Sequence, residues 1–324
     1  MKYSVLLFAV VTLISCQPKS SSFEGNAQGT TYSVKIVGAS DQGLKVKMDS
    51  LLTQIDFSLS TYNPNSIISK VNRNEVVQLD DHFKSVFEKS LLIAKSTNGA
   101  FDFTAKPLFD AYGFDEKKSM KVAKLNIDSV LEFVGYEKVR IDGDNLVKED
   151  LRIQLNFNAS AQGYSVDKMA EILENKGIEN YFIELGGETK AKGKNKKGKL
   201  WRIGIDKPEE KLEKRQLAAI LSLDNKALAT SGNYRNFYVE GGVKYVHTIN
   251  PITGKSELNN LLSVTILAES CHDADAYATA LMVMGVDKAK HFSGLKNLEV
   301  FLIYTTEEGV ETYTNGPFEV EMVD

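Results

Sequence analysis

The 324-residue chain has only two cysteines, Cys16 and Cys271. At most one pair could form, which excludes a scaffold stapled by disulfides. There is no excess of either charge: 39 Lys and Arg against 43 Asp and Glu leave a net −4. A basic surface for nucleic acid is therefore not expected. The apolar run Val5–Ile14 is too short to cross a bilayer as a stable helix. Internal repeats and long linkers are also missing. What remains is ordinary: 43% hydrophobic and 25% charged residues, enough for one large domain or two modest ones.

The N-terminus is organised differently from the rest. Lys2 precedes Val5–Ile14, and the run ends in Leu13-Ile14-Ser15-Cys16 before the polar Gln17-Pro18-Lys19-Ser20-Ser21-Ser22. This pattern resembles a bacterial lipoprotein cleavage box, which implies a lipidated Cys16 as the mature N-terminus. The alternative is an ordinary signal peptide with a chance cysteine. The expected organisation is a signal over 1–15, lipidated Cys16 and tether over 16–22, and one folded domain over 23–324. Acyl chains on Cys16 would anchor that domain to a bacterial membrane, facing the periplasm. Cys271 would then have no disulfide partner. A catalytic Cys271 is disfavoured: no nucleophile signature surrounds it, and its neighbour His272 would point another way on a helix.

Periodicity predicts an α+β domain. "GTTYSVKIV" (29–37) reads as a strand. Leu44, Met48, Leu51, Leu52 and Ile55 recur at helical spacing. "STYNPNSIIS" reads as a loop, Phe83–Lys95 as an amphipathic helix, "GAFDFT" as an extended segment and "IDGDN" as a hairpin turn. Strands dominate from Tyr181 to Ile249, with a Gly241-Gly242 hairpin. "SVTILAE" and "LEVFLIYTT" are later strands, the second fully buried. "HDADAYATALMVMG" is a helix ending at Gly285. Six lysines between Lys190 and Lys199 read as a solvated hairpin tip or as a contact for anionic lipid.

One stretch raises a chemical question. "NFNASAQGYSVDKMAEILENKGIENYFIELGG", from Asn156 to Gly187, reads as extended chain, small-residue turn, helix and strand. That order often cradles phosphate, yet this stretch has neither G-x-G-x-x-G nor G-K-[ST]. Elsewhere, Asp275 and Thr279 are four apart on a helix and share a face, offering hard oxygen ligands of the kind magnesium takes. The plainer alternative makes Asp273 and Asp275 helix-start residues and Thr279 packing. His247, at a strand end before Asn250-Pro251, is either structural or a proton carrier. Asp102, inside an apolar run, needs a salt-bridge partner or a ligand.

The order of these segments resembles the FAD:protein FMN transferase (ApbE) family. The segments are "QGTTYSV", "LSTYNPNSIISKVN", "GAFDFTAKPL", the Asn156 stretch, "WRIGID", "ALATSGNYRNF", "KYVHTINPITG" and "SVTILAESCHDADAYATALMVMG", together covering about 29–285. The resemblance implies a single domain, T-fold-like, of mixed and mainly antiparallel sheet with packed helices. It implies Mg²⁺ at Asp275 and Thr279 with backbone oxygens near Ala159 and Ala278. FAD would meet Gln28, Tyr62, Ala100, Phe101, Asp102, Asn156, Gln162, Thr248 and Ile249, and His247 would activate an acceptor hydroxyl. The Asn156–Gln162 turn would hold the FAD pyrophosphate. Three departures stand out: Asn156 replaces the usual Asp, Gln162 a Lys or Glu, and Gln28 the Met of "M-G-T". The expected activity is Mg-dependent transfer of FMN from FAD to a threonine of an exported flavoprotein, such as a subunit of a Na⁺-pumping or related electron-transfer complex, releasing AMP. The alternatives are an FAD pyrophosphatase and a non-catalytic FAD-binding lipoprotein.

Overall fold

The strand β13 (Glu299–Thr306) explains how the molecule is layered. Its side chains alternate between two cores. Val300, Leu302 and Tyr304 enter one, Phe301 and Ile303 the other. A strand buried on both faces must be apolar throughout, and "VFLIY" is. The sheet around β13 is therefore the middle layer of the fold.

The structure, a computed structural model, describes residues 19–114, 126–208, 216–233, 237–240, 242–256 and 258–323. Cys16 and the signal segment 1–15 lie outside these. The middle sheet runs β1 (Ser20–Ala27), β2 (Thr30–Val37), β5 (Tyr181–Leu185), β6 (Glu188–Lys192), β9 (Lys226–Gly232), β12 (Leu261–Ala268), β13 and β14 (Gly309–Asn315), with every neighbour antiparallel. The expected antiparallel character holds, with one isolated parallel bridge between Ala105 and Gln154. β3 (Val139–Asp142) and β4 (Asn145–Lys148) form the expected hairpin. β10 (Phe237–Glu240) and β11 (Val243–Val246) form another.

Helices cover one face. α1 (Leu44–Leu59) buries Leu44, Met48, Leu52, Ile55 and Leu59. α6 (Ala161–Glu174) buries Val166, Met169, Ala170 and Leu173 against β2 and β5. α7 (Cys271–Met284) and α8 (Val286–Lys296) pack on β9, β12 and β13. The small sheet β15–β8–β7 (Val320–Met322, Leu217–Leu223, Trp201–Asp206) covers the opposite face through Trp201, Ile205, Leu221 and Leu223. A further core gathers α2 (Ile67–Asn72), α3 (Asp81–Ser96) and the chain around Phe101 and Phe157. α4 (Lys106–Tyr112) and α5 (Ile127–Leu131) close one side. No helix among the described residues is long and apolar enough to cross a membrane.

Several sequence-based expectations shift. Ser20–Ser22, read as the end of the tether, pair with Val37, Ile36 and Lys35 as the start of β1. "STYNPNSIIS" is not loop throughout: the Ser66 side chain accepts a hydrogen bond from Ser69 N at 3.1 Å and starts α2. "GAFDFT" is a chain of bends and a turn, because Asp102 Oδ1 accepts from Thr104 N and folds the backbone back. The segment before α6 is extended but joins no sheet; Asn156 N donates to Phe103 O at 2.8 Å. The lysine run is no hairpin tip. Lys190 and Lys192 lie within β6 and pair with Asp167 and Glu174 of α6, and the other four lie on the connection to the second sheet.

Candidate active site

Asp275 and Thr279 sit on α7, and two groups fix the N-terminus of that helix. Ser270 caps it, accepting from Asp273 N at 3.3 Å. Asp167, from α6, accepts from Cys271 N (3.0 Å), His272 N (3.1 Å) and Ser270 Oγ (2.8 Å), and its own charge is met by Lys190 at 2.8 Å. A carboxylate against these first N–H groups is where the helix dipole favours a negative charge. Within this end the two acids differ. Asp273 meets the ring of His272 at 3.1 Å, whereas Asp275 turns inward and is 8% exposed. Gly163 N donates to Asp275 Oδ2 at 3.2 Å. Thr279 follows one turn later, 3.4 Å from Ser231 Oγ.

That contact needs α6 and α7 to approach closely, and Gly163 permits it. A Cβ at this position would lie 2.7 Å from the carbonyl carbon of Cys271 and 2.9 Å from His272 Cα. Across from α7, the start of α6 is held by aromatic packing. Phe157 stacks on Phe103 at 5.4 Å and meets the edge of Phe83 at 5.6 Å. The 100–105 turns and the 156–160 turn are thus pinned to one core. Asn156 Oδ1 accepts from Asn158 N at 2.8 Å, so this amide oxygen is used to shape the turn.

Between these elements lies a cavity of about 1080 Å³, a size suited to a large cofactor. Its walls include Tyr62, Ala100, Phe101, Asp102, Asn156, Ala159, Gln162, His247, Thr248, Ile249, Asp275 and Thr279. Twelve expected site residues, scattered from 62 to 279, thus share one wall. Two others do not line it. Gln28 sits in the β1–β2 turn and donates from Nε2 to Ser165 Oγ at 2.7 Å. Ala278 sends its methyl into the core beside Val264 and Leu302, leaving only its backbone carbonyl for any ligand. Tyr62, 70% exposed, stands with its ring accessible. Cys271 is buried and free, its thiol pushed well above the ordinary range by burial.

Three features escaped sequence reasoning. Glu188, on β6, lines the cavity while only 8% exposed. Strand parity carried the signal: Glu188 shares its face with Lys190, which meets α6. Thr230 and Ser231 contribute hydroxyls from β9. An aromatic wall of Phe109, Tyr112, Phe114 and Tyr238 joins α4 to the β10–β11 hairpin, with Tyr238 stacked on Tyr245 at 5.3 Å.

The carboxyls are unusual. Burial pushes Asp275 up to about 7, against the opposing hydrogen bond from Gly163. Burial, and then the nearby Asp275 charge, raise Glu188 well above the carboxylate range. Asp102 is pushed up to about 6 by burial, although Thr104 (N 2.8 Å, Oγ1 2.7 Å) and Tyr136 N (2.9 Å) all donate to it. Of the two alternatives for Asp102, a salt bridge is absent among the described residues; hydrogen bonds from Thr104 and Tyr136 meet the carboxyl instead. No three His, Cys, Asp or Glu side chains among the described residues form a ready-made metal cage. Two carboxyls and hydroxyls instead suit a hard cation that completes its shell with water and phosphate oxygens, and the helix N-terminus suits those phosphates.

The sequence matches the ApbE family over residues 28–302. The chain belongs to the ApbE family. A relative from Vibrio cholerae, named FAD:protein FMN transferase, is 32% identical over 97% of both chains. The solved flavin transferase ApbE from that organism superposes with a TM-score of 0.82 at 32% identity, covering 92% of this chain and 97% of the other. The apo flavinyl transferase ApbE of Pseudomonas stutzeri gives 0.83 at 30% identity, over 93% and 96%. The ApbE fold therefore extends over nearly all of the described chain, including both helices that frame the cavity.

Proposed function

We propose that this ApbE-family transferase moves FMN from FAD to a threonine hydroxyl of an exported flavoprotein with the help of Mg²⁺. One observation carries the reading: Asp275 and Thr279 line, together with the turn that leads into α6, a cavity of dinucleotide size, and Asp275 sits beside the first turn of α6 through Gly163 N. The residues fit a magnesium ion. Asp275 and Glu188 are buried carboxyls without a cationic partner among the described residues, and one Glu188 oxygen has no hydrogen-bond partner. Asp275 and Thr279 would hold the ion, with backbone oxygens of Ala159 and Ala278. Bound there, it would offset negative charge on the pyrophosphate and on departing AMP.

The other roles belong to the chain itself. The first N–H groups of α6 and the 156–162 turn receive phosphate oxygens. Tyr62 offers an exposed ring for the flavin or adenine face. Asp102, Thr248 and Ile249 position the flavin end, and Gln28 steadies α6 from behind through Ser165. The acceptor hydroxyl oxygen bonds to the phosphorus on the riboflavin side. The bond to the bridging oxygen breaks, AMP leaves with that oxygen, and the hydroxyl proton passes to His247. The acceptor is a membrane-associated electron-transfer subunit in this reading. An acyl anchor on Cys16 would hold the enzyme on the periplasmic side of the same membrane.

The test mixes full-length protein, FAD, Mg²⁺ and a threonine-bearing acceptor domain, and measures the acceptor's intact mass with and without chelator. The expected result is a magnesium-dependent gain of one FMN, lost in Asp275→Ala. Free FMN with an unmodified acceptor would replace the transferase with a pyrophosphatase. Full transfer by Asp275→Ala would remove the metal assignment.

A further inference from the structure

Glu188 has been given no ligand role so far, yet it is poorly accommodated where it stands. It is 8% exposed and lines the cavity, and its Oε2 has no hydrogen-bond partner. An enclosed carboxyl oxygen without a donor costs free energy that folding must offset elsewhere. No neighbour relieves it. Lys190, two residues on and on the same face of β6, is committed to Asp167 at 2.8 Å. The charge that acts on it most strongly is that of Asp275, a repulsive one. The hairpin fixes the arrangement: Glu188 pairs with Leu185 across the Gly186–Gly187 turn, where φ of 65° and 117° suits glycine. Parity then aims its side chain toward the helix layer.

Two buried acids lining one cavity, one of them with an orphaned oxygen, describe a site shaped for something positive. The turn at 156 supplies an amide, and its oxygen is already used by Asn158 N. Of the described carboxyls that line the cavity, Asp102 is already met by Thr104 and by Tyr136 N, which leaves Asp275 and Glu188.

We propose that Glu188 is a second carboxylate ligand of the divalent cation, joining Asp275 and Thr279. The inference rests on the reading that Asp275 and Thr279 bind Mg²⁺. It adds that β6 contributes a ligand, so the ion is gripped between the sheet and α7 rather than by α7 alone. The strand holds Glu188 in place before any ion arrives, and the cost of that preorganisation falls on the empty protein.

Mn²⁺ binding to the full-length protein, read by electron paramagnetic resonance without FAD or acceptor, tests this independently of turnover. Wild type, Glu188→Gln and Asp275→Asn are compared, with the thermal midpoint of each metal-free protein. Glu188→Gln is expected to weaken Mn²⁺ by roughly 10- to 100-fold and to leave the metal-free midpoint unchanged or higher. A merely structural glutamate would instead lower the midpoint and spare Mn²⁺. Wild-type affinity in Glu188→Gln, with loss in Asp275→Asn, overturns the role of Glu188 and leaves the Asp275 site standing. No Mn²⁺ uptake by wild type overturns both. Should the Gln variant not fold, Glu188→Asp is read instead. Its carboxylate is withdrawn by one methylene, so affinity should drop by about threefold or more, and unchanged affinity in that variant equally refutes the proposal.

Discussion

Gly163→Ala is the smallest perturbation that should disable the site. One methyl is added, 2.7 Å from the Cys271 carbonyl carbon and 2.9 Å from His272 Cα. These are backbone atoms of a capped helix end and cannot rotate aside. The Cys271 carbonyl oxygen is nearer still, and restoring ordinary contact near 3.4 Å requires α6 and α7 to part by about 1 Å. Overpacking of this kind costs roughly 1–3 kcal/mol. Alanine's better helix propensity returns about 1 kcal/mol. The parting also stretches the Gly163 N to Asp275 bond, already 3.2 Å, and losing a bond to a buried acid costs about 1.5–3 kcal/mol. The net expectation is a loss of roughly 2–4 kcal/mol, or about 5–10 °C in midpoint. Calorimetry measures the midpoint, and FAD turnover should fall further than stability alone explains, because Asp275 has moved. A variant as stable and as active as the parent would refute the close-approach reasoning.

Asp167→Ala removes the acceptor for two backbone N–H groups of α7 and strands Lys190; urea denaturation should show a loss of roughly 3 kcal/mol, and a loss below about 1 kcal/mol contradicts the capping role. Asp102 makes a prediction in pH. Its folded value, near 6, lies above its ordinary 3.8, so the folded state holds the extra proton between those values. Its contribution is therefore best near pH 4, falls as pH rises through 6, and then stays lower by on the order of 3 kcal/mol. Asp102→Asn should flatten that slope, measured by denaturation at pH 4.5 and 7; parallel curves for the two proteins would exclude it. His247→Ala should slow transfer while FAD binding, followed by fluorescence quenching, is retained; lost binding would make His247 a ligand contact instead.

How far the sequence revealed this depended on whether a residue's partner was near in the chain. α7 was legible because its helical pattern and its end at Gly285 are local, and so Asp275 and Thr279 could be placed on one face. β13 was legible because burial on both sides leaves an unbroken apolar run. β1 was not, because an edge strand with alternating polar residues looks like a tether until its partner β2 is known. Asp102 looked like part of a strand because phenylalanines flank it, whereas its own carboxylate bends the chain. Glu188 and Asp167 were missed for a different reason: their neighbours are 87 and about 104 residues away, and parity along one strand gives a face but not the partner across it.

The pairing of β1 with β2 has a consequence for reach. Ser20 begins β1 beside Val37, and Val37 N bonds Asn180 O near the lysine-rich connection. The strand ends at the Gln28 turn, next to Gly186 on the cavity wall. Eight residues of strand at about 3.3 Å each make a rigid spacer of about 26 Å. If Cys16 is lipidated as proposed, this strand would separate the cavity from the start of the fold by that length. Under that proposal an acceptor threonine would have to be carried on a segment able to span the same distance, so that reach, as well as sequence, would select the substrate.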